Sequence, residues 1–264
     1  MFRTISTILT ITLLLAGCQQ KNRFHVGSFE QPVEVSINRL DLDFIALDTT
    51  NTVSGLIVLG NKYPAFTPVF LSEVLMMEVT DTVENANQIK AFLQDTTFQT
   101  VHQLVKTTFD DINAIEKQFS KAFSYLRLYF PAIKLPEIYF FVSGFNQQFL
   151  LTDSILGIGS DLYLGADFPL YKDITHEYLL SGMRKEMLVP DALNTLLHKQ
   201  FPFRGEVNLL NSMIYEGKIR YLLEVLMPDA NNELIMGYSN AETRWCKQHE
   251  KAIWTSILEQ KHLY

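Results

Sequence analysis

The sequence predicts an α+β fold, a predominantly helical single domain with a small, mostly antiparallel sheet. Three observations predict it. Apolar residues recur at spacings of three and four over most of the chain, as helices that bury one stripe require. Between Pro136 and Gly165 the texture changes to short β-branched and aromatic runs separated by turn residues. No internal repeat and no Gly-, Pro- or Ser-rich linker divides the 264 residues, 47% of them hydrophobic, so they read as one core.

Taken in order, the first 31 residues stand apart. Arg3 precedes the apolar run ISTILTITLLL, and LAGC follows at once. That run is shorter than the roughly 20 apolar residues of a spanning helix and suits an export leader. The L-A-G-C pattern resembles bacterial lipoprotein signals: Ala16 and Gly17 admit the peptidase, and the Cys18 thiolate accepts a diacylglycerol. The expected organisation is a signal peptide over 1–17, a lipidated N-terminus and polar tether over 18–31, and a folded domain over 32–264. Several acyl chains, at about 0.8 kcal/mol per buried CH₂, make such attachment essentially permanent. Cys246 is then the single cysteine beside the lipidated one, so no intramolecular disulfide is expected. No other segment approaches spanning length.

In VEVSINRLDLDF, Val33, Val35 and Ile37 alternate with Glu34, Ser36 and Asn38, the period of a half-buried strand. From Pro64 to Phe130 the pattern is helical. PAFTPVFLSEVLMMEV opens on prolines, ANQIKAFLQD follows, and TTFQTVHQLVKTTF has Thr96 or Thr97 as its expected cap. Over Asp110–Phe130, Ile112, Ile115, Phe119, Phe123, Leu126 and Phe130 form one apolar stripe, with Asp110 and Asp111 at the dipole's positive end and Pro131 as the stop. EIYFFVSG reads as a strand, QFLLTDSILGIG as two strands about a Thr-Asp-Ser turn, and DLYLG as one more. Helices are expected over about 173–188, 190–201, 207–227 and 240–262. Pro190 fits a first turn, Pro228 a stop, and Asn240 the last cap.

A net charge of −7 and a pI near 5.4 argue against nucleic-acid binding. His176-Glu177 opens the zinc-protease pattern H-E-x-x-H, but Leu180 stands where the second imidazole belongs. His198 meets Pro202 at that spacing; His102, His249 and His262 have no local partner, and no metal site is expected. Glu216-Gly217, in SMIYEGKIRYLL, is similar to the E-G helix that supplies the third zinc ligand in gluzincin-type peptidases. Without two histidines it cannot hold catalytic zinc. The plain reading pairs Glu216 with Arg220 at i+4 and lets Gly217 admit a close helix; the alternative is a vestigial cleft used for binding. GIGSD at 157–161 is a turn, not a nucleophile elbow. Phe168, Pro169, Leu170 and Tyr171 fall in a loop, where exposed apolar residues mark contact surfaces. Cys246 reads as a half-buried packing residue.

YLGADFPLYKDI, MRKEMLVPDAL, MIYEGKIRYLLEVLMPD and the ending WCKQHEKAIWTSILEQKHLY, joined to the lipobox, resemble the gliding-motility lipoprotein family GldB of Bacteroidetes. The resemblance spans essentially the whole chain. It implies a membrane-anchored lipoprotein of the cell envelope that faces the periplasm and serves gliding motility and type IX secretion. It also implies a degenerate zincin-like fold and transfers no catalytic residue. QQKN after Cys18 has no acidic run of the kind that directs surface display. The expectation is a non-catalytic accessory without cofactor beyond the diacylglycerol and N-acyl chain on Cys18. It binds the membrane through that anchor and envelope proteins through a surface of Phe168, Pro169, Tyr171, His176, Glu177, Glu216, Gly217 and Arg220. The competing expectations are a hydrolase holding metal with His176, Glu177, Glu216 and His198, and a lipid- or small-molecule-binding lipoprotein with a large apolar cavity.

Overall fold

A four-stranded sheet separates two apolar cores. The computed structural model describes residues 24–77 and 82–263; the expected leader and Cys18 lie outside the described residues. Strands β1 (Ile37–Arg39), β2 (Glu137–Phe141), β3 (Phe149–Leu151) and β4 (Ile155–Gly159) run in the order β1-β2-β4-β3. Side chains of β2 alternate between the cores. Ile138 and Phe140 enter one, while Tyr139 and Phe141 enter the other. With both faces covered, the strand reads as an unbroken apolar run rather than an alternating one.

The second core is closed by α1 (Leu40–Ile45), α2 (Thr52–Lys62), α3 (Thr67–Val69) with the π turn Phe70–Val74 that follows it, and α4 (Thr82–Gln94). The first is closed by α5 (Thr96–Thr108), α6 (Asn113–Tyr129), α8 (Leu188–Gln200) and α9 (Leu209–Leu226), with the short α7 (Tyr171–Ile174) between sheet and α8. The chain finishes with α10 (Asn232–Met236) and α11 (Asn240–Glu259). Gly157 is required by packing: a Cβ there would stand 3.0 Å from the Phe66 ring, which stacks on Tyr139 with centroids 4.4 Å apart. No described helix is long and apolar enough to cross a membrane.

The α+β class and the placing of a small sheet between two helical groups agree with expectation; the strand directions do not. β1–β2 and β2–β4 pair in parallel, and only β3–β4 is antiparallel. The hairpin about Thr152–Ser154 forms as expected. However, β4, buried along its whole length, takes the central place beside β2 and leaves the half-buried β3 at the edge. DLYLG forms a single turn, Ser160–Leu162, and one isolated bridge from Leu164 to Arg184.

Residues 33–36 have the alternation of a strand, yet their partner is a helix. The N–H groups of Val33, Val35 and Ile37 donate to Ser124 Oγ (2.8 Å), Ser120 Oγ (3.0 Å) and Glu116 Oε1 (2.9 Å) of α6. Two residues of extended chain advance about 6.6 Å and four of helix about 6 Å, so the two repeats keep step. The stretch expected as a free tether is laid on the body from Phe24 onward: Val26 N–H donates to the Tyr125 hydroxyl at 2.9 Å, and Phe29 packs edge-on to the Tyr125 ring.

After Arg39 the chain turns into α1 instead of continuing as strand. Arg39 holds the buried Asp41 carboxylate in a two-pronged pair (2.9 and 2.8 Å) and donates to Phe109 O at the end of α5. Burial raises the Asp41 pKa while the guanidinium opposes that rise. The cap of α5 is Asp95, not Thr96 or Thr97; its carboxylate accepts from Thr97 and Phe98 N–H. That of α11 is Ser239, not Asn240, in a reciprocal box with Glu242. The helix expected over 173–188 is broken, because Thr175 is extended (φ −146, ψ 167) and two short 3₁₀ turns follow, Glu177–Gly182 and Lys185–Met187.

Ser124→Ala strips the buried Val33 N–H of its acceptor, and the expected loss is about 1–3 kcal/mol of stability. Ser120→Ala, at a half-buried site, should cost less. Urea unfolding at constant m value measures both.

Candidate functional site

Helix α9 is apolar on more than one side. Of its 18 residues it buries Ile219, Leu223, Val225 and Leu226, and it leaves Leu209, Met213, Ile214 and Tyr221 exposed. Asn208 starts it by accepting from Asn211 N–H. After Pro228 the chain folds back as α10. Asn231 caps that helix, and Gly237 ends it in the left-handed conformation (φ 74) that turns Tyr238 toward α9. The result is an open groove of about 770 Å³. Met213, Glu216, Gly217, Arg220, Tyr221 and Glu224 line one wall; Ala230, Asn232, Ile235, Met236 and Tyr238 line the other.

The charged residues of the groove are held differently from expectation. Arg220 does not pair with Glu216; its Nη1 donates to Ile235 O at 3.0 Å, a cation on the last turn of α10 that fixes the far wall. Glu216 Oε1 instead lies 2.9 Å from Nε2 of His198 on α8, whose Nδ1 lies 2.8 Å from Asn194 O. Both ring nitrogens thus have an oxygen partner, one on α8 itself and one on α9. Gly217 admits no neighbouring helix either. A Cβ built there meets nothing within 4 Å, so it is an open notch in the wall.

Behind Arg220, Gln148 donates to the Tyr163 hydroxyl (2.9 Å), which donates to Asp191 Oδ2 (3.1 Å). Burial pushes the Asp191 carboxyl up to about 6, against the Tyr163 hydrogen bond and the Arg220 charge.

The groove unites Glu216, Gly217 and Arg220 but excludes the other expected residues. Tyr171 is fully buried, its hydroxyl donating to Asp161 O and accepting from Leu164 N–H, with Phe168 edge-on to its ring at 5.0 Å. These two rings anchor the loop; of that stretch Pro169 is the exposed member. His176 is exposed and stacks on Tyr178, and Glu177 opens a 3₁₀ turn; neither lines the groove. The 165–190 segment meets α10 through Arg184 and Glu233 at 2.8 Å, and Glu233 does not line the groove. His198 and Glu216 do meet, but among the described residues no three His, Cys, Asp or Glu side chains form a group able to hold a metal. Cys246 is half-buried on α11.

Sequence reasoning missed Met213, Tyr221, Glu224, Met236 and Tyr238. Their one available signal was that apolar residues such as Met213, Ile214 and Tyr221 occur outside the buried stripe of α9, beside its polar stripe Ser212, Glu216, Arg220 and Glu224. It also missed where the N-terminal segment arrives. Phe24 packs edge-on to Tyr221 at 5.4 Å, at the groove's rim.

A family model described as gliding motility protein GldB matches residues 21–264. Neither the curated proteins nor the solved structures contain a match.

The raised Asp191 carboxyl has a defined pH signature. Folded, it keeps its proton to about pH 6, whereas the ordinary carboxyl loses it near 3.8. The folded state therefore binds more protons in that window, and this group's stabilising contribution, full below the lower value, is lost as pH rises through the upper one. Asp191→Asn should gain stability relative to the parent as pH goes from 4 to 7, measured by urea unfolding at each pH.

Proposed function

We propose that this chain, which belongs to the gliding motility protein GldB family, is a periplasm-facing lipoprotein anchored at Cys18. It acts as a non-catalytic accessory that docks a protein of the gliding and type IX secretion machinery. Three things support the reading: the family, the LAGC pattern ahead of the domain, and the α9–α10 groove. The groove carries it. Two methionines and two tyrosines provide adaptable apolar contact, while Glu216, Glu224 and Arg220 offer polar registration, all beside the point where Phe24 meets the body.

An open groove of this make suits a helix or loop of a partner better than a small molecule, because it is walled on two sides only. The Gly217 notch supplies the place where a partner side chain or backbone approaches α9 closely. His198 and Arg220 are already committed to Glu216 and Ile235 O, so they hold the walls in place rather than act on a substrate.

Gly217→Arg should fold, since nothing stands within 4 Å of the new Cβ, yet fill the notch. The expected result is loss of the envelope partner in affinity purification from gently solubilised membranes, with loss of cell spreading and secretion. Gly217→Ala should keep both and add up to about 1 kcal/mol of stability, because glycine is a poor helix former. Unchanged partner recovery and movement with Gly217→Arg would refute docking at this groove. Stoichiometric zinc in purified protein, lost on His176→Ala, would refute the non-catalytic reading.

A further inference from the structure

Helix α11 runs for 20 residues and buries none of them. Its half-buried positions, Thr243, Cys246, Ile253 and Ile257, form the stripe laid toward the body. A second stripe, at spacings of three and four, consists of Arg244, Lys247, Lys251, Trp254 and Leu258, all exposed. At about 100° per residue these five fall within roughly 80° of arc. Of the helix's carboxylates, Glu242 and Glu259 lie about 100° or more from its centre, and Glu250 lies about 80° from it, outside the stripe on the side of Trp254. Among the described residues none of the three cations forms an ion pair or side-chain hydrogen bond. A chain of net charge −7 thus carries one face on which three cations accompany a Trp and a Leu, with a single carboxylate, Glu250, at its border.

The position of this face completes the argument. Tyr238 lines the groove with Tyr221 and directly precedes the Ser239 cap of α11, and Phe24 packs on Tyr221. Six residues lead back from Phe24 to Cys18, and these span at most about 21 Å. A lipid on Cys18 therefore keeps the bilayer near the N-terminal end of α11, and a helix lying along the surface brings the rest of the face to it. Tryptophan and tyrosine favour the headgroup level, and lysine and arginine lay their stems along apolar surface while their charges meet anionic headgroups.

We infer that the Arg244–Lys247–Lys251–Trp254–Leu258 face of α11 lies on an anionic bilayer surface as a second attachment, orienting the groove relative to the membrane. The inference rests on the proposed lipid anchor at Cys18.

The two tryptophans of the chain, Trp245 and Trp254, both sit on α11 nine residues apart, which places them on opposite sides of the helix. They make the test internal. The purified lipid-bearing protein is reconstituted into phosphatidylcholine vesicles with or without phosphatidylglycerol, carrying a headgroup-level nitroxide quencher. In Trp245→Phe protein, Trp254 fluorescence should shift to the blue and be quenched in the phosphatidylglycerol vesicles. The effect should weaken in high salt and vanish on adding Lys247→Glu with Lys251→Glu, while flotation with the vesicles is unchanged. In Trp254→Phe protein, Trp245 should stay unquenched. Circular dichroism confirms that each variant is folded. If the protein floats but Trp254 is not quenched, or both tryptophans are quenched alike, the face meets a protein or a second copy and the inference is overturned. Protein that fails to float at all overturns the anchor reading, and this inference with it.

Discussion

The arrangement depends on matching two repeats, one extended and one helical. Glu116, Ser120 and Ser124 stand one turn apart along α6, and the alternate N–H groups of residues 33, 35 and 37 arrive at the same interval. Without these acceptors the segment before β1 would bury donors beside a helix that has no backbone acceptors to offer. With them, Val33 and Ile37 enter the core and β1 is delivered in parallel beside β2. The same strapping continues toward the N-terminus. Tyr125 receives Val26 N–H, and Asp229 pairs with both Lys121 and His25. Phe24 and His25, the first described residues, therefore stand on the side of α9 and α10.

That routing links the fold to the groove. Asp229 belongs to the turn that carries α9 back as α10, so the pair that holds the N-terminal segment also steadies one wall. Arg220 steadies the other side of the same turn by capping α10 from within. The groove is thus braced from both ends by residues that have little to gain chemically. The large exposed side chains there are apolar: Met213, Tyr221, Met236 and Tyr238, with Trp254 and Leu258 on the helix beyond. Such side chains occur singly on most protein surfaces; here Met213, Tyr221, Met236 and Tyr238 share one groove, the grouping on which the proposed docking rests.

The buried polar groups elsewhere serve shape. Asp161 sits at 0% exposure because it accepts from Ser143 and Phe145 N–H, closing the loop between β2 and β3. Lys185 reaches Thr108 O and Asp111 O, joining the end of α5 to the turn before α8. These interactions tie loops to the ends of the elements they join.

Local pattern was enough to reveal the α+β class, the stripe of α6, the strand EIYFF, the Thr152–Ser154 hairpin, and the extents of α8, α9 and α11, because each follows from periodicity over neighbouring residues. Only the tertiary structure decided strand direction, because parallel pairing joins β1 to a strand about a hundred residues on, and no local pattern encodes that. It likewise decided that Tyr171 is buried, that Glu216 takes His198 rather than Arg220, and that Gly217 opens on solvent. Each depends on which element stands opposite, and a sequence states a residue's character but not its neighbour.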